Sequence, residues 1–295
     1  MRQVAAGATI GFFDSGVGGL SVWRAVHRRL PGCSTLYVAD NAHCPYGPRP
    51  AEQVRRYSAG ITRFLLAQGA DLIVVACNTA SAAALQWLRS HFATPFVGME
   101  PAVKPAAQVT RTGHVGVLAT QGTVEGDLFR NTSARYANGV VVHTYVGDGL
   151  VECVEAGRAD APEAERLLRH YVDPMLKAGV DCLVLGCTHY SFLIPALQRI
   201  LPGAVTVVDA AEAVARQVER RLPEVTTAQP RPVQSGKPDD PAITARHRFF
   251  TTGAPDVLKT LLRTELDPTP EVQRLAWRNG QLHLIEGFSE DGWTF

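Results

Sequence analysis

The sequence predicts an α/β fold of two similar, pseudo-symmetric domains, each a mostly parallel sheet flanked by helices, with the functional site in the cleft between them. Three observations predict it. Short, fully apolar strand segments alternate with helical segments, the pattern of a parallel sheet covered on both faces. The run Gly69-Ala70-Asp71-Leu72-Ile73-Val74-Val75-Ala76-Cys77 resembles Gly179-Val180-Asp181-Cys182-Leu183-Val184-Leu185-Gly186-Cys187, at a constant offset of 110 residues (179 − 69 and 187 − 77). Each copy ends in a cysteine at the carboxyl end of a strand, where open α/β sheets hold their ligands.

The elements follow in order. Thr9 to Phe13 reads as a strand and Asp14-Ser15-Gly16-Val17-Gly18-Gly19 as a turn. Leu20 to Leu30 is a helix stopped by Pro31-Gly32. Thr35 to Ala39 is a second strand, Ala51 to Gln68 a helix ending at Gly69, Asp71 to Ala76 a buried strand, Thr79 to Phe92 a helix and Phe96 to Met99 a strand. Ile10-Gly11-Phe12-Phe13 has a weaker echo in Val115-Gly116-Val117-Leu118. Prolines place one boundary near Met99 to Pro105, and another falls near Asp209, after a strand over Val205 to Val208. The predicted domains are therefore residues 1–99 with 210–295, and residues 100–209, the chain returning to the first through a helix over Ala210 to Leu222. Glu224 to Ala245 is rich in Pro, Thr, Gln and Asp and reads as a loop. Residues 247–295 read as a C-terminal tail with a helix over Pro255 to Thr264 and a hairpin turn around Arg278-Asn279-Gly280-Gln281.

Composition narrows the function. Hydrophobic residues make up 46% and charged residues 19% of the 295, with a net charge of +1. No single-sign field marks nucleic acid or an anionic membrane as a partner. Apolar runs such as Leu72 to Ala76 are too short to span a bilayer, and Met1 to Thr9 lacks a signal-peptide core, so a cytoplasmic location is expected. Six cysteines in a chain with an ample core are expected to be reduced. No C-x-x-C pair occurs, and no metal is expected. Gly16-x-Gly18-Gly19 lacks the spacing of a dinucleotide fingerprint, and nothing calls for pyridoxal phosphate, so no cofactor is expected.

The chemistry concentrates on Cys77 and Cys187. Cys77 precedes Asn78-Thr79 and a helix; Cys187 precedes Thr188-His189 and an apolar stretch, Phe192 to Ile200, read as a helix. A thiol at a helix N-terminus meets unpaired N–H groups and is expected to have a lowered pKa. A lone buried cysteine is usually inert, but two at matching points of a repeat fit a task that needs a group on each face of one carbon, namely inversion of a stereocentre by proton transfer. The glycines after Asp14 would let N–H groups approach an anion, with Asp14 orienting a base or binding an amino group and Ser15 binding substrate; a helix cap with a tight turn is the plainer alternative. His189, two residues after Cys187, can share its proton. Cys44-Pro45-Tyr46-Gly47-Pro48 is either a pocket wall or a rigid turn. Cys33, Cys153 and Cys182 read as packing residues.

These motifs carry a resemblance. Phe13-Asp14-Ser15-Gly16-Val17-Gly18-Gly19, Pro45-Tyr46-Gly47-Pro48-Arg49, Ala76-Cys77-Asn78-Thr79-Ala80-Ser81 and Gly186-Cys187-Thr188-His189-Tyr190 together resemble the glutamate racemases of the aspartate/glutamate racemase superfamily, over most of the chain. The resemblance implies cofactor-independent interconversion of L- and D-glutamate, supplying D-glutamate for peptidoglycan. Cys77 would act on the D-enantiomer and Cys187 on the L-enantiomer, supported by Asp14 and His189 respectively. Asp14, Ser15, Tyr46, Gly47, Asn78, Thr79, Thr188 and His189 would contact substrate, Glu155 rather than Glu152 would be the supporting glutamate, and Asp40 fits a further acidic position. A homodimer is implied. Gly147-Asp148, Asn41 and Ala210 depart from common residues of the family. The competing readings are an aspartate or other amino-acid racemase of the same superfamily, and a regulatory protein that binds DNA gyrase.

Overall fold

The computed structural model describes residues 7–136, 139–226 and 247–285. Strands β1 (Thr9–Asp14), β2 (Ser34–Ala39), β3 (Leu72–Val75) and β4 (Phe96–Gly98) pair in parallel in the order β2-β1-β3-β4. Strands β5 (His114–Ala119), β6 (Val141–Val146), β7 (Cys182–Gly186) and β8 (Thr206–Val208) form a second parallel sheet in the order β6-β5-β7-β8. The two orders are the same once β5 stands for β1, β6 for β2, β7 for β3 and β8 for β4. In each unit the cysteine-bearing strand lies centrally and is wholly buried, which is why both copies of the repeat are continuously apolar.

Helices α1 (Leu20–Arg29), α2 (Ala51–Ala67) and α3 (Asn78–His91) connect the first unit. Helices α4 (Val103–Val109), α5 (Gln121–Val124), α6 (Asp127–Tyr136), α7 (Leu150–Glu155), α8 (Pro162–Lys177) and α9 (Ile194–Ile200) accompany the second, and α10 (Ala211–Thr226) and α11 (Asp256–Leu262) follow it. The repeat extends to hydrogen bonds. At the end of α2, Gly69 N–H donates to the Leu66 carbonyl and Ala70 N–H to that of Leu65, both at 3.0 Å. At the end of α8, Gly179 N–H donates to Leu176 at 3.0 Å and Val180 N–H to Met175 at 3.1 Å. Gly69 (φ 92°) and Gly179 (φ 86°) hold the left-handed conformation that this helix stop requires, where a side chain would be strained. The same signal thus turns each helix into its central strand at the same distance from its cysteine.

Residues 247–285 are not a tail. β9 (His247–Thr251) pairs in parallel with β2, β10 (Val272–Arg278) pairs with β9, and β11 (Gln281–Leu284) returns antiparallel, extending the first sheet to seven strands in the order β11-β10-β9-β2-β1-β3-β4. The hairpin turn forms at Asn279 (φ 50°) and Gly280 (φ 75°), the pair of positive φ angles a two-residue loop favours. The strand signal of β9 and β10 was hidden because charged residues interrupt both. The helix expected over 192–200 is divided: Thr188–Leu193 forms a 3₁₀ turn and α9 begins at Ile194, with Pro195 in its first turn, where a missing N–H costs nothing. The segment read as a loop from Glu224 begins inside α10, which runs through Thr226; from residue 227 to 246, and from 286 onward, the sequence lies outside the described residues.

One apolar cluster runs from Ile10, Phe12 and Trp23 through to Leu150, Leu168, Leu185 and Tyr190, so the two sheets share a core. Each such side chain contributes about 1.5–3 kcal/mol on burial. No helix among the described residues is long and apolar enough to cross a membrane, and all six cysteines are free.

Candidate active site

Cys77 follows β3 and caps α3 in extended backbone, its Sγ accepting from Ala80 N–H at 3.4 Å. Cys187 follows β7 in the matching conformation but caps the 3₁₀ turn without a side-chain hydrogen bond. Both are buried, and they lie near enough that charge on Cys187 raises the Cys77 thiol. The expected lowering by a helix N-terminus is overturned at Cys77. Burial, then the negative charge of Asp14, push its thiol well above the ordinary range, against the N–H groups of Ala80 and Ser15. Two backbone donors do not replace the water that burial removes.

Around Cys187 the partners differ. His189 Nδ1 lies 3.7 Å from Cys187 Sγ, and His189 Nε2 is 2.5 Å from Glu155 Oε1. Burial opposes charge on His189, but hydrogen bonds to Cys187, Cys44 and Glu155, with the Glu155 charge, raise it well above its ordinary value. Burial likewise opposes charge on Glu155, but His189 and the Val17 N–H hold its carboxyl below the ordinary value. The pair therefore stands as imidazolium and carboxylate at neutral pH. Glu155 also accepts from Val17 N–H at 2.7 Å and Asn41 Nδ2 at 2.6 Å, whereas Glu152 is exposed.

The glycine-rich turn thus binds an anion supplied by the chain itself. A Cβ on Gly16 would sit 1.8 Å from Glu155 Oε1, and one on Gly18 would sit 2.4 Å from His189 Nδ1. Glycine is needed here because side chains of the second unit press against the turn of the first. The cap reading does not hold: α1 is capped by Gly19 without a side-chain bond, and Asp14 instead accepts from Gly16 N–H at 2.8 Å.

Asp14, at the end of β1, is wholly buried. It accepts from Thr188 Oγ1 at 2.9 Å and from Ser15 Oγ at 3.3 Å. Burial raises its carboxyl to about 6, although His189, Gly16 and Thr188 favour the charged form. Asn78 is buried with neither its amide nitrogen nor its amide oxygen partnered, an arrangement that costs about 1–3 kcal/mol per group until something fills it. Thr79 Oγ1 meets Thr120 Oγ1 at 2.8 Å, and Gly122 N–H donates to the Gly47 carbonyl at 3.1 Å, so α3 and the Tyr46-Gly47 loop meet the second unit directly. Tyr46 donates to Asp40 Oδ2 at 2.7 Å; Asp40 also accepts from His43, Thr252 and Trp277.

The structure therefore brings Asp14, Ser15, Cys77, Thr188, Cys187, His189 and Glu155 together, with Asn78 and Thr79 on the Cys77 side and Tyr46 and Gly47 behind Asp40. Sequence reading passed over Asn41, Val17 N–H and Cys44 as neighbours of Glu155 and His189, and Thr120 as the partner of Thr79; Val17 and Cys44 lie in segments singled out above, but each contact is with a distant part of the chain, which no local motif encodes. Cys44, Glu155 and His189 place ligand-type atoms within 4.8 Å of one another, the one such three-residue group among the described residues.

Residues 20–218 match the family model described as Asp/Glu/Hydantoin racemase. A glutamate racemase of Ectopseudomonas mendocina (strain ymp) is 51% identical over 229 residues, 77% of this chain and 87% of the relative. One of Roseiflexus sp. (strain RS-1) is 53% identical over 216 residues, 73% of this chain and 79% of the relative. The crystal structure of Escherichia coli glutamate racemase in complex with L-glutamate and activator UDP-MurNAc-ala aligns at 31% identity with a TM-score of 0.76, covering 94% of this chain and 99% of that one.

Proposed function

Because the chain belongs to the Asp/Glu/hydantoin racemase family, we propose that it is an isomerase that interconverts L- and D-glutamate by passing the α-proton between substrate and two thiols, Cys77 and Cys187. The observation that supports the mechanism is the pairing of the two cysteines: each follows an inner strand of one of two matching four-strand units, both are buried, and charge on Cys187 is felt at Cys77. Relatives with the name glutamate racemase support the substrate.

In the L to D direction Cys187 as thiolate takes the α-proton and Cys77 as thiol delivers one to the opposite face. Afterwards Cys187 holds the proton and Cys77 the charge, which is the starting state for the reverse direction. His189 exchanges a proton with Cys187 and Glu155 holds its ring in place. Asp14 serves Cys77: a buried carboxyl raised to about 6 changes its charge close to working pH, as a proton-transfer partner should. Negative charge that develops on the substrate carboxylate needs fixed donors, and the unpartnered amide of Asn78, with the hydroxyl of Thr79, supplies them, while Ser15 and Thr188, whose hydroxyl hydrogens point to Asp14, accept from the substrate ammonium. Tyr46 and Gly47 close the same side. The metal-free and cofactor-free character, a cytoplasmic location, a homodimer and the supply of D-glutamate for peptidoglycan belong to this reading.

The test is incubation with L-glutamate in D2O without added cofactor, following circular dichroism and the α-hydrogen by NMR. Loss of optical signal with deuterium in newly formed D-glutamate, while residual L-glutamate keeps its hydrogen at early times, is expected. Inversion without solvent deuterium would end the two-thiol mechanism. Activity with L-aspartate and none with L-glutamate would move the substrate to a sister racemase. Light scattering over a range of concentrations checks the homodimer.

A further inference from the structure

Cys44 has no part in the proton transfer, yet it stands beside two groups that do. It lies just after the 3₁₀ turn Asn41–His43, in the loop that leaves β2. Glu155 is the last residue of α7, and His189 lies in the 3₁₀ turn after β7. Three separate elements thus bring a thiol, a carboxylate and an imidazole to one point, with their ligand-type atoms all within 4.8 Å. Cys44 is half-buried, Glu155 keeps 17% of its side chain exposed and His189 is closed to solvent, so the point is reached from the Cys44 and Glu155 side.

We propose that Cys44, Glu155 and His189 form an inhibitory site for zinc ion. The donor set selects the metal. Magnesium and calcium take all-oxygen shells, while a mixed sulfur, nitrogen and oxygen set is that of zinc and its neighbours in the first transition row. Tetrahedral zinc, with bonds of about 2.0–2.3 Å, holds its ligand atoms about 3.3–3.6 Å apart. The present group needs only modest side-chain rotation to reach that spacing. Three protein ligands leave a fourth position to water.

The inhibition rests on the racemase reading above; the binding does not. Zinc on the imidazole and carboxylate takes both from their present work. His189 Nε2 bears the metal in place of its bond to Glu155 Oε1, and the imidazolium that faces Cys187 at 3.7 Å is lost because a coordinated ring has one proton fewer. Glu155 also links the Val17 N–H and Asn41 to the second unit, so the ion fixes the two units about their meeting point.

The experiment is titration of the whole protein with cobalt(II), whose thiolate charge-transfer absorption reports a bound cysteine sulfur without any turnover, followed by displacement with zinc. One equivalent of cobalt with a thiolate band, abolished by zinc, is expected for the parent chain. Cys44→Ser preserves size and leaves Cys77 and Cys187 intact; it is expected to lose the band and, scored against its own zinc-free rate, to need at least tenfold more zinc for half-inhibition. Chelation with EDTA is expected to restore the zinc-treated parent. A band and inhibition undiminished in Cys44→Ser would put the metal on the two reacting thiols and overturn the site, as would no stoichiometric binding at all. Cobalt bound through Cys44 in a protein that fails to racemise glutamate would leave the site standing and remove the functional reading instead.

Discussion

Cys77 and Cys187 end equivalent strands of equivalent units, and their backbones match through a shared helix stop, yet their surroundings are opposite in charge. Cys77 caps a fourteen-residue helix, meets the backbone N–H groups of Ala80 and Ser15 and faces the carboxyl of Asp14. Cys187 caps a 3₁₀ turn and faces His189, whose charge is held by Glu155. The repeat sets where the sulfurs are; residues outside the repeat set what each sulfur can do. Asp14 comes from β1 and Glu155 from α7, so each half contributes an acid, but only one acts through an imidazole.

The comparison breaks most sharply if one thiol is removed. Cys77→Ala and Cys187→Ala are each expected to lower kcat by about 10²–10⁴-fold, the usual contribution of one positioned acid or base. Enantiomers have equal free energies, so kcat/KM must remain equal in the two directions whatever is mutated. The difference between the arms therefore has to be read elsewhere. Solvent exchange of the α-hydrogen in D2O without net inversion serves: Cys77→Ala is expected to exchange L-glutamate faster than D-glutamate, and Cys187→Ala the reverse. Equal exchange of both enantiomers by both variants would mean that the thiols are not divided between faces.

Gly16→Ala is the next largest. The added methyl falls on Glu155 Oε1 and cannot be relieved without moving that carboxylate off His189 and the Val17 N–H. Expected is a fall in kcat of about ten- to a hundredfold, the scale on which displaced supporting groups act. The loss should fall on the Cys187 arm, with D-enantiomer exchange nearly retained in a Cys187→Ala background. A fully active Gly16→Ala would show that the His189–Glu155 pair is dispensable.

The alternation of apolar strands and helices, the 110-residue repeat and the strand-end cysteines were legible because each rests on local pattern. Pairing that depends on distant chain was not. β9 and β10 carry Arg248, Gln273 and Arg274 within short strands and take their places in the sheet only because β2 offers an open edge. The thiol shift at Cys77 was misjudged in sign because a sequence shows the helix start but not the depth of burial or the carboxyl beside it. Glu155 was placed by resemblance, while its contacts with Val17, 138 residues away, and Asn41 lie beyond any local motif.

Asp14 makes the Cys77 arm sensitive to pH in a way open to equilibrium measurement. Its carboxyl stands at about 6 in the folded chain against an ordinary 3.8. A raised acid means that the folded state holds more protons than the unfolded state between these values, so stability falls as pH rises from about 4 to 6 and the whole cost is present above it. The shift corresponds to about 3 kcal/mol. Asp14→Asn removes the titration. The parent minus variant unfolding free energy, from urea denaturation at pH 4 and pH 8, is expected to drop by roughly that amount; hydrogen bonds altered equally at both pH values cancel. A difference independent of pH would mean that Asp14 is ionised throughout.

The smallest expected effect concerns what only the first sheet has, its three extra strands. Trp277 on β10 donates to Asp40 Oδ1 at 2.7 Å, and Asp40 in turn accepts from Tyr46, which packs in the same apolar cluster as Cys77. Trp277→Phe removes that donor from a wholly buried carboxylate, a loss of about 1–3 kcal/mol and roughly 3–8 °C in Tm. The same change also thins the packing of the ring over Gly60, so the donor has to be isolated. Repeating Trp277→Phe on an Asp40→Ala background, which leaves the indole N–H no acceptor, does so: a cost shrinking by about 1 kcal/mol or more assigns it to the hydrogen bond, and an unchanged cost assigns it to packing. If the bond carries it, and Tyr46 contacts substrate as proposed, KM should rise several-fold through the displaced Tyr46 while kcat changes less. A rise in KM with no coupling to Asp40 would mean that the extension reaches the site by another route.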